Sequence, residues 1–300
     1  MSKGRRGRDD DTQRLDPPPE VLEQSRRQSS AHVLKLTSGV VSSTGITRAR
    51  DPDEDSVLVI EIGRVLEGVP QWFGFYAVAD GMGGQEAGEV ASRLALEAMS
   101  VAVLERLGKP WLLGDRLDVP EIRDRLRACV DDAHLRVLQH NHEGGRDMGT
   151  TLTACLILDR TLVGINVGDS RIYLFRYDQE ELFRISRDQS LVQQLVEAGE
   201  ISEEDVYTDP RRNIILSSLG GEAFETGSET FVAGLSEGDK VLVCSDGLWE
   251  MVRDADLQQV LNLHVDPQQC AEDLITLACM NGGNDNVSAI VVELQSRRKL

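Results

Sequence analysis

Two segments of this chain share one layout: Phe75-Tyr76-Ala77-Val78-Ala79-Asp80-Gly81 and Val241-Leu242-Val243-Cys244-Ser245-Asp246-Gly247. Each is an apolar run of the kind that forms a strand covered on both faces, and each delivers an aspartate at its end before turning at once on a glycine. A single Asp-Gly after a strand is ordinarily only a turn. Two of them require a fold in which two buried strands each end on a carboxylate.

Further acids stand at other strand edges. Glu54 and Asp55 lie just before the strand pattern Ser56 to Ile60, and Asp169 follows Val163 to Val167 through Gly168. Asp285 sits in Gly282-Gly283-Asn284-Asp285-Asn286, directly before Val287 to Leu294. In antiparallel sheets strand starts and strand ends share one edge, so these carboxylates can converge. Several carboxylates in one place repel one another unless protons or cations intervene. Oxygen-rich sites with no Cys and few His favour hard cations such as magnesium, manganese or calcium. Two such metals sharing one aspartate, at roughly 4 Å, can hold a water, lower its pKa and stabilise in-line attack on phosphorus. The adjacent glycines let backbone approach, and a peptide carbonyl such as that of Gly81 can itself serve as a ligand.

The remaining pattern predicts strands at Trp72 to Ala79, Thr151 to Leu158, Arg171 to Phe175 and Lys240 to Cys244. Between the strand patterns Trp72 to Ala79 and Thr151 to Leu158 lie two helical segments that should pack as a hairpin, one with Val90, Leu94, Ala98 and Val101 in line and the other with Ile122, Leu126, Ala133 and Val137. Cys270, Leu274 and Leu277 mark a further helix. Strands in unbroken groups favour antiparallel pairing over βαβ alternation, giving an α+β fold of sheets covered by helices. Residues 187 to 221 fit neither pattern and are expected to form a flap, with a short helix from Leu191 to Ala198 and a turn at Gly199.

With 300 residues and 40% apolar content the chain can bury one large core. Residues 1–35, with Pro17, Pro18, Pro19 and a charged run, read as a disordered tail ahead of a domain over 36–300. Arg26-Arg27-Gln28-Ser29 there is either a site for a basic-directed kinase or plain solvated tail. The formal net charge of −19 belongs almost wholly to the domain and argues against nucleic-acid binding. With no membrane span and no secretory leader, the sequence reads as cytoplasmic. Cys129, Cys155, Cys244, Cys270 and Cys279 form no CxxC pair and read as reduced core residues.

Six elements in order resemble the type 2C, metal-dependent serine/threonine protein phosphatase family in its bacterial form. They are Arg50-Asp51-Pro52-Asp53-Glu54-Asp55-Ser56, Val78-Ala79-Asp80-Gly81-Met82-Gly83-Gly84, Met148-Gly149-Thr150-Thr151, Val167-Gly168-Asp169-Ser170-Arg171, Cys244-Ser245-Asp246-Gly247-Leu248 and Gly283-Asn284-Asp285-Asn286. The resemblance covers about residues 40 to 295. It implies an αββα sandwich and hydrolysis of phosphoserine and phosphothreonine by a water bridging two divalent cations, Mn2+ or Mg2+. Asp80 would bridge both metals, Asp246 and Asp285 would complete the first, and Glu54 with the Gly81 carbonyl the second. Arg50 would bind the substrate phosphate with its forked donors. Asp55 and Asp169 would support the ligands from behind. A third cation would use Asp246 and Asp147. The implied partners are phosphorylated proteins and an opposing serine/threonine kinase, in a signalling role.

The chain departs from the family pattern in three places. Asp53 stands where Asn is usual before the Glu-Asp pair, and Arg48 competes with Arg50 for the phosphate, spacing to Glu54 favouring Arg50. Met82 stands where animal relatives carry His as proposed general acid, so the leaving group must take its proton from water or elsewhere. The nearest acid to the Gly-Thr-Thr element is Asp147. Asp188-Gln189-Ser190 and Arg211-Arg212-Asn213 resemble family features of the flap.

Other chemistries fit less well. None of the five cysteines has Arg six places on, as a cysteine-based phosphatase requires, and Asp51-Pro52-Asp53 lacks the preceding buried strand of an aspartyl-phosphate mechanism. The histidines, His32, His134, His140, His142 and His264, lie outside every element and receive no role. The remaining alternative is an inactive scaffold of the same fold, which would be expected to have lost its carboxylates.

Overall fold

The computed structural model describes residues 32–83, 87–145, 147–221 and 229–298. The proposed tail up to residue 31, including Arg26 to Ser29, lies outside the described residues. The strands are β1 (His32–Ser43), β2 (Asp55–Leu66), β3 (Val69–Met82), β4 (Gly149–Thr150), β5 (Leu152–Leu158), β6 (Thr161–Val167), β7 (Arg171–Arg176), β8 (Glu181–Arg184), β9 (Glu229–Gly234), β10 (Lys240–Cys244) and β11 (Val287–Arg298). The α-helices are α1 (Ala87–Val103), α2 (Lys109–Leu113), α3 (Val119–Gly144), α4 (Leu191–Glu197), α5 (Asp246–Trp249), α6 (Asp254–Leu263) and α7 (Pro267–Met280). β1 opens at His32, so the strand begins inside the stretch read as tail.

Alternation along the strands generates four layers. In β3, Phe73, Phe75, Ala77 and Ala79 face α1 and α3 and pack with Leu94, Met99, Leu126 and Val130. Tyr76 and Val78 face the other way and meet Val241, Val243, Ile290 and Val292. β10 mirrors this arrangement, sending Val241 and Val243 inward while Leu242 and Cys244 lie under Leu257, Leu261 and Leu274 of α6 and α7. Both faces of each central strand are therefore covered, which is why their sequences are continuously apolar. Each large side chain so buried stabilises the fold by about 1.5–3 kcal/mol.

One sheet runs in the order β1-β11-β10-β7-β8, the other β2-β3-β5-β6-β9 with β4 paired to β3, and the strand pairings are antiparallel. The resulting αββα sandwich agrees with the sequence reading. The helical hairpin is also present, but the stripe on α1 differs. Ala91, Leu94, Ala95, Met99 and Ala102 are buried, whereas Val101 is 64% exposed. Alanines let α1 approach the sheet closely, and they are a weaker periodic signal than the valines beside them. α3 buries Ile122, Leu126, Ala133 and Val137 as expected. It starts on Asp118, whose side chain accepts from the Glu121 N–H at 2.9 Å, and ends on Gly145 at φ 57°.

Residues 187–221 form a flap whose two ends are tied to the sandwich. Its first end rests on a buried ion pair: Arg171 Nη2 donates to Asp188 Oδ2 at 2.7 Å, and its Nε lies 3.0 and 3.1 Å from the two carboxylate oxygens. The guanidinium also bonds Tyr173 and stacks 3.5 Å from the Trp249 ring centre. The far end returns through a bridge between Leu219 and Thr150 and is held by α3. There Gly220 N–H donates to His134 Nδ1 at 3.1 Å, and Asn141 Nδ2 donates to the carbonyls of Met148 and Gly220. His134, given no role from sequence, is thus an acceptor at the base of the flap.

Cys129, Cys155, Cys244 and Cys270 are buried and Cys279 is partly exposed, all as free thiols. Burial pushes the Cys129 and Cys270 thiols up to about 12.

The pair Arg171–Asp188 supplies a stability test. Asp188→Leu leaves a buried guanidinium without its counter-charge and should cost about 3–5 kcal/mol in urea unfolding. Adding Arg171→Met should recover part of that loss.

Candidate active site

The site lies where the two sheets part at one edge of the sandwich. β3 ends on Asp80, paired in register with Asp55 at the start of β2. From the other sheet, Ser245 and Asp246 follow β10, and Asp285 and Asn286 precede β11. Hydrogen bonds join the two layers: Ser245 Oγ donates to Asp55 Oδ2 at 2.7 Å and accepts from Ser288 N–H, and Glu54 N–H donates to Asn286 Oδ1 at 2.9 Å. The Gly-Thr-Thr element fixes Asp80. Thr151 Oγ1 accepts from the Asp80 N–H at 2.9 Å, while the Thr151 N–H and Thr150 Oγ1 both donate to the Asp80 carbonyl.

Glycines permit the approach at two points. A Cβ on Gly81 would lie 2.0 Å from the Gly88 carbonyl oxygen, and one on Gly88 would lie 2.7 Å from both Glu54 Oε1 and the Gly81 carbonyl oxygen. Glu54 and the Gly81 carbonyl therefore meet over the start of α1. Gly247 plays the same part across the site, where a Cβ would fall 2.0 Å from the Asn286 carbonyl oxygen.

Crowding of like charges shows in the protonation of these acids. Burial, then repulsion from Asp246, Asp55 and Asp169, holds the Asp80 carboxyl well above the usual range. Burial pushes Asp55 up to about 8 against hydrogen bonds from Ser245 and Ser288, and burial with repulsion from Glu250 and Asp285 pushes Asp246 up to about 7. Asp169 is raised in the same sense, by burial and then by Asp246. Among the described residues, Asp55 Oδ1, Asp169 Oδ1 and Asp246 Oδ1 are buried without a hydrogen-bond partner. Unpartnered, electron-rich oxygens of an all-oxygen donor set suit a hard divalent cation. Among the described residues no three Asp, Glu, His or Cys side chains form a ready cage.

Of the two arginines weighed from sequence, the structure sets Arg48 against the acids. Arg48 Nη1 donates to Asp285 Oδ1 at 2.5 Å and its Nη2 to Glu54 Oε2, spanning acids from both sheets. Arg50, favoured by spacing, is exposed on the turn that follows β1. The turn carries Arg48 inward because the Ile46 and Thr47 N–H groups both bind the Gly283 carbonyl, and Pro52-Asp53 takes up the extra length before β2. Asp53 accepts from Ser42 Oγ at 2.7 Å and from the Asp55 N–H, so it shapes the start of β2. Asp147 is exposed ahead of β4. Glu250, one turn after Asp246, faces Asp246 and Asp285 and pairs with Arg212 of the flap at 3.4 Å. The i, i+4 spacing in Asp246-Gly-Leu-Trp-Glu250 was the available signal for it.

Comparison with known proteins agrees with this geometry. The family model for protein phosphatase 2C matches residues 52–273. The serine/threonine phosphatase stp of Listeria innocua is 36% identical over 225 residues, 74% of this chain and 85% of that protein. The crystal structure of the Mycobacterium tuberculosis serine/threonine phosphatase PstP/Ppp superposes with a TM-score of 0.72 at 32% identity, covering 87% of this chain and 99% of that one. The catalytic domain of PstP in complex with two manganese ions gives 0.71 at 32%, covering 88% and 100%. An all-oxygen acidic edge on an αββα sandwich defines a metal-dependent phosphatase. This chain belongs to the protein phosphatase 2C family and is a serine/threonine protein phosphatase.

The raised carboxyls make a test of their own. In chelator, acids that hold their protons in the folded state stabilise it fully below about pH 4 and lose that contribution as pH rises through 7 to 8, where the unfolded chain has already ionised. The thermal midpoint should therefore fall between pH 5 and pH 8. Added Mn2+ should raise it more at pH 8 than at pH 5, and a midpoint in chelator that climbs across this window would contradict the crowding.

Proposed function

We propose that this phosphatase removes phosphate from phosphoserine and phosphothreonine in proteins with two divalent cations, Mn2+ or Mg2+. Asp80 would be shared by both, Asp246 and Asp285 would hold one, and Glu54 with the Gly81 carbonyl the other. The observation that carries this reading is the meeting of acids from both sheets with buried oxygens that have no protein partner. Manganese is the ion in the complex of the related PstP catalytic domain. Bound here, such cations supply Lewis acidity and a water of lowered pKa for in-line attack on phosphorus. An inactive scaffold would be expected to lack these acids, and all four are present.

The protein's own residues do the rest. Arg48, in place of Arg50, presents a planar fork between Glu54 and Asp285 and is suited to hold two phosphate oxygens. Thr150 and Thr151 fix the Asp80 backbone, and Ser245 orients Asp55 behind it. Met82 offers no proton, so the leaving alkoxide takes one from water. A third cation would use Asp246 with Asp147. Natural substrates are phosphoproteins made by an opposing serine/threonine kinase, in cytoplasmic signalling. No helix among the described residues is long and apolar enough to cross a membrane.

With Mn2+ and a phosphothreonine peptide, Asp80→Asn and Asp246→Asn should each lower kcat by about 10²–10⁴-fold, the several kcal/mol a lost metal site implies. Full turnover in chelator, or in Asp80→Asn, would overturn the mechanism. Arg48→Ala should raise KM by about 10–100-fold, the worth of a charge-assisted bond, while Arg50→Ala changes it less than about twofold.

A further inference from the structure

Between its two anchored ends the flap is seated at a third point, built from stacked rings and cations. Val206 is buried and Tyr207 half-buried at the end of a 3₁₀ turn over Glu203–Tyr207. The Tyr207 ring lies edge-on to Trp249, with centroids 6.0 Å apart and planes at 64°. Arg253 covers the Tyr207 ring, its guanidinium carbon 3.4 Å from the centroid. Trp249 is in turn fixed: its indole N–H donates to the Asp169 carbonyl at 3.0 Å, and the Arg171 guanidinium lies over its ring, 3.5 Å from the centroid. Trp249 also closes α5, the single turn that opens on Asp246. Arg253, Tyr207, Trp249, Arg171 and Asp188 thus form one continuous stack from the flap surface into the sheet.

Directly after Tyr207 the chain becomes a lip. Thr208, Pro210, Arg211, Asn213 and Ile214 are exposed, and Arg212 reaches Glu250 beside Asp246, before the chain dives back at Leu219. The lip has no regular element of its own up to the bridge at Ile215, so its height above the acids is set by where Tyr207 pins it on one side and Ile214–Leu216 on the other, the Ile214 carbonyl accepting from the Leu191 N–H at 2.9 Å and the Leu216 N–H donating to the Gln189 carbonyl at 2.8 Å. Tyr207 sits where the chain leaves the seat.

We propose that Tyr207, clamped between Trp249 and Arg253, is a positioning residue that sets the lip at the height needed to contact residues flanking the phosphorylated side chain of a protein substrate. The proposal rests on the phosphatase reading above. Tyr207 touches neither phosphate nor acid, so a substrate too small to reach the lip is indifferent to it. A peptide that spans the lip loses binding when the ring is lost, because the lip must then be ordered at the expense of binding energy. The phenol oxygen takes no part, since both contacts are to the ring.

The test compares the wild type, Tyr207→Leu, Tyr207→Phe and Arg253→Gln, with Mn2+, on p-nitrophenyl phosphate and on a phosphothreonine peptide of ten or so residues. Tyr207→Leu should raise the peptide KM about tenfold with kcat within about twofold, and leave both constants for p-nitrophenyl phosphate unmoved. Tyr207→Phe should match the wild type. Arg253→Gln, an exposed change, should raise the peptide KM about threefold, and decides the matter if Tyr207→Leu does not fold. A wild-type peptide KM in both Tyr207→Leu and Arg253→Gln, or an equal loss on both substrates, would overturn the proposal. A wild type that turns over neither substrate would instead overturn the phosphatase reading on which it rests.

Discussion

The mutual repulsion of buried carboxyls is the constraint around which this molecule is arranged. Asp55, Asp80, Asp169 and Asp246 lie where water is scarce and each raises the cost of ionising the next. A loose chain would let them separate. Here they are held at strand ends, with Thr151 Oγ1 accepting from the Asp80 N–H, Thr151 and Ser170 sharing a hydroxyl bond, and Ser245 Oγ donating to the Asp55 carboxyl. The two inner sheets, the outer helices and the close glycine contacts at Gly81 and Gly247 all serve to keep like charges together. That is a use of stability for function rather than a source of it.

A second buried charge system balances differently. Arg171 and Asp188 are almost wholly removed from solvent, yet each finds its counter-charge, and Tyr173 and Trp249 occupy the remaining faces of the guanidinium. Its effect is to weld the first residues of the flap to the strand beside the acids. At the opposite end, Asn141 uses its whole amide, both donating and accepting, to join α3, the segment before β4 and the last turn of the flap. The irregular segment is thus tied at both ends, with Tyr207 and Ile215 held between them.

Much of this was legible in the sequence where one physical rule acted alone. Unbroken apolar runs ending in Asp-Gly gave β3 and β10 with their acids, because such runs need cover on both faces. The edge strand β1 went unread because Thr37, Ser38, Gly39, Ser42 and Ser43 dilute its alternation, and α6 because only Leu257 and Leu261 are fully buried along it. On α1 the eye follows valine, whereas close packing against a sheet selects alanine. The placing of the two arginines was not legible for a different reason: counting back from Glu54 measures distance along the chain. Pro52 and the two bonds to the Gly283 carbonyl fold that distance so that Arg48, not Arg50, turns inward. Tyr207 had no partner to mark it until α5 and the flap were placed side by side, and Glu250 was marked only by its i, i+4 spacing from Asp246.

One feature of the edge reaches beyond chemistry. Asp80 and Glu54 belong to one sheet, Asp246 and Asp285 to the other, and between the sheets lies an apolar layer of Tyr76, Val78, Val241 and Ile290, with the Tyr76 hydroxyl donating to Glu61. Besides the bond from Arg176 Nη1 to the Gly234 carbonyl, directional bonds between the layers stand at the acidic rim, where Ser245 meets Asp55 and Asn286 meets Glu54. An ion gripped by acids of both layers would act there as a rivet, so the grip on the ion and the alignment of the two halves become one mechanical property.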